Sequence, residues 1–347
     1  MVKPIETLAL GQEYPPPDEE FAIQQIEQIS KQKLEQSYPP GTRPARRDQH
    51  PKAHGCVKAE FIVHGNLPDS LCYGIFKEPR TYSAWIRFSS SASMIQPDTK
   101  KDAHGMAIKL LDVEGEKVLE QERHETTQDF VMANSKVFFV RSTSDYVMFV
   151  SAFAKNKLLS FFFGWNPFKW RLHEFRNMLS ATQKNVSNPL QIQYWSQTPY
   201  KLGDNAIKFS AKPQSSKIDP MPTSQNPNFL QEAIAKQLRT EAVSFDFMVQ
   251  LQTDPVKMPV EDSTILWDET LSPFQKVATI HIPVQVFDSP QQIEFAEALS
   301  FTPWHSLPEH QPLGSTNRVR RKVYEAISKL RHEMNNTLRQ EPKQSND

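Results

Sequence analysis

The sequence predicts an α+β fold, a large antiparallel sheet or closed barrel with helices around it, and three features carry that expectation. Apolar residues alternate with period two in one stretch after another from about residue 56 to residue 287. Helical spacing is confined to a few segments. Loops of Pro, Asp, Ser and Asn separate the alternating stretches, as in sheets built of many strands.

Taken in order, Pro15, Pro16 and Pro17 followed by Asp18, Glu19 and Glu20 make a helix start, and Ala22, Ile26, Ile29 and Leu34 then recur at helical spacing. A helix is therefore expected over 18–36. Pro39, Pro40, Gly41 and Pro44 end it and lead into an extended arm, Arg46 to His50. Alternation predicts strands over Cys56 to His64, Tyr82 to Ser89, Gly105 to Leu111 and Val137 to Arg141. The clearest strand is Ser244 to Gln252, with Phe245, Phe247, Val249 and Leu251 on one face; another, Ala278 to Phe287, aligns Ile280, Ile282, Val284 and Val286. Helices are expected near 144–154, 170–182 and about 317–334, the last with Val323, Ile327, Leu330 and Met334 on one face. The domain reading is an N-terminal helix and arm (1–44), one domain (45–338) and a charged tail (339–347) expected to fray.

With 347 residues, 38% of them hydrophobic, the chain can bury one large core or two modest ones. Forty basic residues balance forty acidic ones, which removes nucleic acid from the expected partners. Only Cys56 and Cys72 occur, and the N-terminus lacks a basic and an apolar signal region, so a cytoplasmic protein without a disulfide framework is expected. The most apolar stretch, Leu158 to Trp165, falls far short of the ~20 residues of a membrane span. Phe161 to Phe163 read most simply as core. The alternative is an apolar mouth for a fatty hydroperoxide, with Trp165, Phe168 and Trp170 beside Lys157 and Lys169 suiting a lipid carboxylate and leaving room for peripheral membrane contact.

On the last helix Arg320, Tyr324 and Arg331 are spaced by four and seven and share a face. A phenol becomes a metal ligand when a fixed positive charge favours its ionised form, and an arginine one turn earlier supplies that charge. Tyrosinate is one way to hold haem iron. By spacing alone, a basic surface helix with one half-buried tyrosine explains the same residues.

The order of motifs resembles the catalase superfamily. Arg320-Arg321-Lys322-Val323-Tyr324 followed by Arg331 is similar to its proximal R-x-x-x-Y with a later arginine. Phe301-Thr302-Pro303 resembles its F-x-P stretch, and Trp267 with Pro273, Phe274 and Val277 its W-P…P-x-x-x-V segment. Upstream, Arg47-Asp48-Gln49-His50-Pro51-Lys52 resembles R-x-x-H-x-K, Arg87-Phe88-Ser89 resembles R-F-S, and Asp102-Ala103-His104-Gly105 resembles D-P-R-G. Asp129 to Asn134, then Val137 to Arg141, resembles the segment of the distal asparagine. The chain also resembles coral allene oxide synthase, a catalase relative.

The resemblance implies a barrel of about eight strands, haem b, and an axial Tyr324 on the iron. It implies Arg47, Arg87 and Arg331 on the propionates, Arg320 beside the tyrosinate, Tyr146 and Phe149 covering the haem, and Asp102 at the access channel. His50 is the implied distal base, oriented by Ser89, with Asn134 beside it. His54 is its rival because one extra residue separates His50 from Phe61; Arg47, three residues before, favours His50. An ungapped match through Phe138 and Phe139 would place Ala133 where the asparagine belongs. A zinc pair of His50 and His54 is disfavoured by Pro51 and the lack of a third ligand. Only 23 residues follow Tyr324, so the helical C-terminal region of full catalases is expected to be missing. The expected activity is cleavage of the O–O bond of hydrogen peroxide or an organic hydroperoxide. The alternatives are an allene-oxide-type rearrangement of a fatty acid hydroperoxide and a non-catalytic haem or lipid binder. A homo-oligomer is expected.

Overall fold

Alternation decides which side of each strand turns inward, and the inward sides together make one filled interior. The computed structural model describes residues 8–223, 226–339 and 341–342. Its strands are β1 (Ala53–Val63), β2 (Thr81–Ser90), β3 (His104–Leu110), β4 (Gln128–Ala133), β5 (Tyr194–Trp195), β6 (Tyr200–Leu202), β7 (Asn205–Pro213), β8 (Val243–Leu251) and β9 (Gln275–Ile282). All neighbours pair antiparallel, and the ring β1-β2-β3-β4-β5-β7-β8-β9 closes through β9 on β1, with β6 sharing the edge of β7 beside β5. This is an eight-stranded barrel. Its interior holds Phe61, Phe130, Phe209 and Phe247, whose ring centroids lie 4.9–5.9 Å apart. Because the interior is full, a functional cavity has to lie outside the wall.

Among the described residues seven α-helices surround the barrel: α1 (Glu19–Ser37), α2 (Thr143–Ala154), α3 (Leu158–Phe162), α4 (Leu172–Thr182), α5 (Phe229–Leu238), α6 (Pro290–Ala298) and α7 (Ser315–Asn335). Ile23 and Ile26 of α1 pack with Val319 and Val323 of α7 and with Tyr146, Val147 and Val150 of α2. None of the described helices is long and apolar enough to cross a membrane. Cys56 is buried, Cys72 half-buried, and both are free thiols.

The structure departs from the expected elements in places. Val137 to Arg141 is a loop, not a strand: the Phe138 N–H bonds the carbonyl of Ser263, and its ring packs on Phe139 and Tyr146. The strand expected to reach Phe287 ends at Ile282, before Pro283, which has no N–H to donate. From there the chain peels away to α5, where Gln285 N–H bonds the Leu238 carbonyl, and Val284 and Val286 are exposed. The charged tail is not frayed where it is described. Arg339 pairs with Glu122 and Glu341, and Glu341 reaches Lys109 at 2.8 Å. Residues 343–347, with Gln340, lie outside the described residues.

Candidate functional site

The outward faces of β2, β3 and β4 carry Arg87 and Ser89, Gly105 and Ala107, and Val131 and Ala133, matched by the pairings Arg87↔Ala107, Ser89↔Gly105 and Gly105↔Ala133. Against this wall lie the arm before β1, the Ser300–Phe301 segment and α7. Between them opens a cleft, concave and largely apolar as small-molecule sites are. The barrel side presents His50, Arg87, Ser89 and Val131; α7 presents Val323, Tyr324, Ile327 and Arg331. Residues 47 to 331 are thus brought together by one wall and one helix.

His50 has φ +58°, a left-handed conformation uncommon outside glycine. Two contacts hold it there: Ser89 Oγ lies 3.0 Å from Nδ1, and the Arg87 guanidinium donates to the His50 carbonyl at 2.8 Å. With Nδ1 engaged, Nε2 is the ring nitrogen left for a ligand. A Cβ on Gly105 would stand 2.7 Å from His50 Cε1, so this position admits only glycine without moving the imidazole. His50 is half-buried by accessible surface because the ring faces the cleft, yet protein encloses its other sides. Burial foremost, then the charges of Arg87, Arg320 and Arg47, push its pKa down to about 3, so the ring is neutral at ordinary pH.

Three guanidinium groups converge on the cleft. Arg47 bonds Glu297 at 3.1 Å and the carbonyls of Ala296 and Leu299. Arg331 donates to the Glu297 carbonyl at 2.9 Å. Arg87 is buried, and its Nε has no partner. Burial first, then the neighbouring arginines, lower the pKa of Arg87 to about 9 and that of Arg331 to about 10, while Glu297 is the opposing carboxylate. Glu297 faces the three guanidiniums and Asp48, the other carboxylate of the wall, is taken by Lys33, which leaves a cationic surplus beside the cleft, and an orphaned buried donor with it.

Tyr324 lines this cleft and also a second, larger one with His305, Arg321 and Arg339. Arg320, one turn earlier, lies outside the cleft wall. It donates to Thr198 Oγ1 and Asn317 Oδ1 at 3.2 Å. Burial disfavours its charge, but the phenols of Tyr324, Tyr200 and Tyr146 outweigh this and raise its pKa.

Several expected residues are not brought to the cleft wall. His54 points away, with Nε2 2.8 Å from Ser90 Oγ. Asn134 turns its amide oxygen to the His104 N–H at 3.0 Å, and Ala133 takes the outward position beside Gly105. Asp102 accepts from Ser91 Oγ and from the N–H groups of Ala92 and Ala103 at 2.7–2.9 Å, so it ties its own loop together. Tyr146 and Phe149 are not among the residues lining the cleft and pack with Phe138 and Phe139. Conversely, Glu297 and Gly105 were not among the expected site residues. Ser289 followed by Pro290 is a helix start that could have pointed to α6 and its Glu297.

No protein-family model and no curated relative matches the sequence. Among solved structures the chain is similar to a fungal catalase, 18% identical with a TM-score of 0.61, covering 83% of this chain and 59% of that one. It is similar to catalase A from Saccharomyces cerevisiae, 18% identical, TM-score 0.61, covering 83% and 62%. A bacterial catalase matches at 15% identity and TM-score 0.59, covering 82% and 57%. The chain has the fold of the catalases and spans about three-fifths of the length of these structures. At this identity the likeness is one of fold.

Proposed function

We propose that this chain binds haem b in the cleft, with the Tyr324 phenolate on the iron, and cleaves the O–O bond of hydroperoxides, organic ones foremost. The observation that carries the reading is the opposition, within this fold, of a neutral His50 held by Ser89 to Tyr324 across one cleft with three guanidiniums at its edge. The residues fit the group: a porphyrin with two propionates would meet Arg47, Arg87 and Arg331, satisfying the orphaned Arg87 Nε and the cationic surplus. Arg320, one turn before Tyr324, sets a fixed positive charge beside it.

When bound, haem supplies the redox electrons that O–O cleavage needs. The chain's own residues handle the proton. Neutral His50 accepts it at Nε2 from the hydroperoxide oxygen nearer the cofactor and returns it to the departing oxygen, which leaves as an alcohol or water. Ser89 keeps the ring aimed throughout. In peroxidase turnover an external donor supplies two electrons per hydroperoxide; an isomerising turnover needs none. Ala107, Val131, Val323 and Ile327 would pack on the porphyrin, while Ala133, outward where an amide was expected, favours a substrate with a hydrocarbon part on the His50 side. That supports the fatty acid hydroperoxide rearrangement as the second reading.

The test is to purify the protein with haem, record its absorption spectrum, and compare hydrogen peroxide, an alkyl hydroperoxide and a polyunsaturated fatty acid hydroperoxide. Oxidation of an added donor supports the first reading, and an allene oxide or its hydrolysis product the second. Haem bound without turnover of any of the three overturns both in favour of a binder.

A further inference from the structure

The helices beside the cleft lead out to an apolar tip that the described chain does not cover. An aromatic ladder builds it: ring centroids are 6.0 Å apart for Phe153 and Phe149, 5.6 Å for Phe149 and Phe161, and 4.9 Å for Phe161 and Phe162. Phe163 then meets Trp170 at 5.5 Å. The ladder starts beside the cleft, where Lys33 bonds the wall residue Asp48 at 2.6 Å and lies 4.4 Å over the Phe153 ring. It ends at Trp165 and Phe168, whose exposures of 105% and 99% leave both side chains wholly in water.

The tip is preformed. Asn166 Oδ1 accepts from the Phe168 N–H at 3.0 Å, and the Trp170 indole N–H donates to the Gly164 carbonyl at 2.9 Å. Arg171 donates to the Phe161 carbonyl and pairs with Asp145 at 2.9 Å. Holding two large aromatics out of the core is unfavourable in water, so their placement calls for a partner. The surrounding charge identifies its chemistry. No acid lies between Asp145 and Glu174, whereas Lys155, Lys157 and Lys169 are exposed and enter no ion pair among the described residues. Aromatic side chains collared by lysines match the headgroup layer of a bilayer, where amphipathic rings settle and cations meet lipid phosphates.

We propose that the 155–172 tip docks the protein on the surface of a bilayer containing anionic lipid, with Trp165 and Phe168 inserted at headgroup depth and the three lysines on the phosphates. The inference stands on the tip alone and needs no cofactor, so it can fail independently of the haem reading. The experiment is co-sedimentation of the full chain with vesicles of phosphatidylcholine, with and without phosphatidylserine. The wild type should sediment with the acidic vesicles and be released by salt. Trp165→Ser with Phe168→Ser should weaken partitioning by about tenfold or more, with an unchanged melting temperature because both side chains are exposed. Lys157→Gln and Lys169→Gln should each cost about fivefold on acidic vesicles only. A wild type that stays in the supernatant, or an aromatic double variant that binds as well as wild type, overturns the proposal. So does a tip that proves to hold two copies of the chain together in gel filtration without binding vesicles.

Discussion

Replacing Gly105 by alanine isolates the placement of the His50 imidazole from everything else in the cleft. Gly105 has no left-handed backbone, so the chain itself accepts a side chain, and loss of a glycine alone would stabilise by about 0.4–1 kcal/mol. The obstacle is space. The new methyl would stand 2.7 Å from His50 Cε1, 2.8 Å from Nδ1 and 3.1 Å from Ser89 Oγ, where ordinary contact begins at 3.4 Å. The ring must withdraw by about 0.7 Å, the difference between 3.4 and 2.7 Å, and strain its 3.0 Å contact with Ser89. Overpacking of about 1–3 kcal/mol exceeds the backbone gain by up to about 2 kcal/mol, a shift of only a few degrees in a chain of this size, while a displacement near 1 Å of a reacting group costs about 10²-fold in rate, or about 2.7 kcal/mol of barrier. Tyr324 and the three arginines are untouched. The expected result is therefore normal haem content, a melting temperature close to wild type, and hydroperoxide turnover lowered about 10²-fold in rapid mixing with an alkyl hydroperoxide. Wild-type turnover would refute the assignment of His50; loss of haem would refute the claim that this wall positions the base and not the cofactor.

Tyr324→Phe should abolish haem retention or shift its spectrum markedly, and an unchanged spectrum after purification would remove the proximal assignment. His50→Ala should keep haem and slow O–O cleavage by about 10² or more; if His54→Ala alone does so, the base is the other histidine. Stability should fall in acid. Burial lowers His50 and His310 to about 3 and His104 to about 4, so the unfolded chain takes the proton first, at the ordinary 6.5. Their contribution is complete above about pH 6.5 and is lost as the pH drops towards about 4 for His104 and about 3 for His50 and His310, approaching about 1.4 kcal/mol per pH unit for each of buried His104 and His310. His305, whose pKa is raised by Asp129 and Glu122 against burial, works in the opposite sense and softens the slope. Urea midpoints measured at about pH 7, 6 and 5 should decline steadily, and a rise would contradict the neutral burial of these rings. Glu341→Ala leaves the fully buried Lys109 with Asp129 and without its second carboxylate, and should lower stability by about 1–3 kcal/mol in thermal unfolding.

Much of this arrangement was legible in the chain, for reasons that differ by element. β8 alternates cleanly because one face of it meets the aromatic interior and the other is only partly covered, so Phe245, Phe247 and Val249 declare themselves. β7 does not, since Ala206, Lys208 and Ser210 are buried on its outer face and blur the period. Lys208 is accommodated there by the Ile265 carbonyl, a partner 57 positions away. α6 buries only Ala296 and has no apolar stripe to announce it, which is why Glu297 was overlooked. The pairing of His50 with Ser89 could be expected from two motifs. That Asn134 would turn to His104, leaving Ala133 outward, depends on where β4 ends, and a one-residue change of register exchanges the faces. The docked tail depends on a buried network of Lys109, Asp129, Glu122 and His305 that no local pattern reveals.

The barrel closes unevenly. β1 and β2 share nine paired positions along their length, whereas β4 and β5 meet only at Ala133 and Trp195, and β5 holds β7 through two residues. The ring is therefore less a uniform cylinder than a clasp whose fastening lies one residue from the cleft. At that fastening side chains do part of the work of the ladder, Ser210 Oγ donating to the Tyr194 carbonyl and Ser196 Oγ accepting from the Phe209 N–H, so the edge of the cleft is held by fewer main-chain bonds than the rest of the ring.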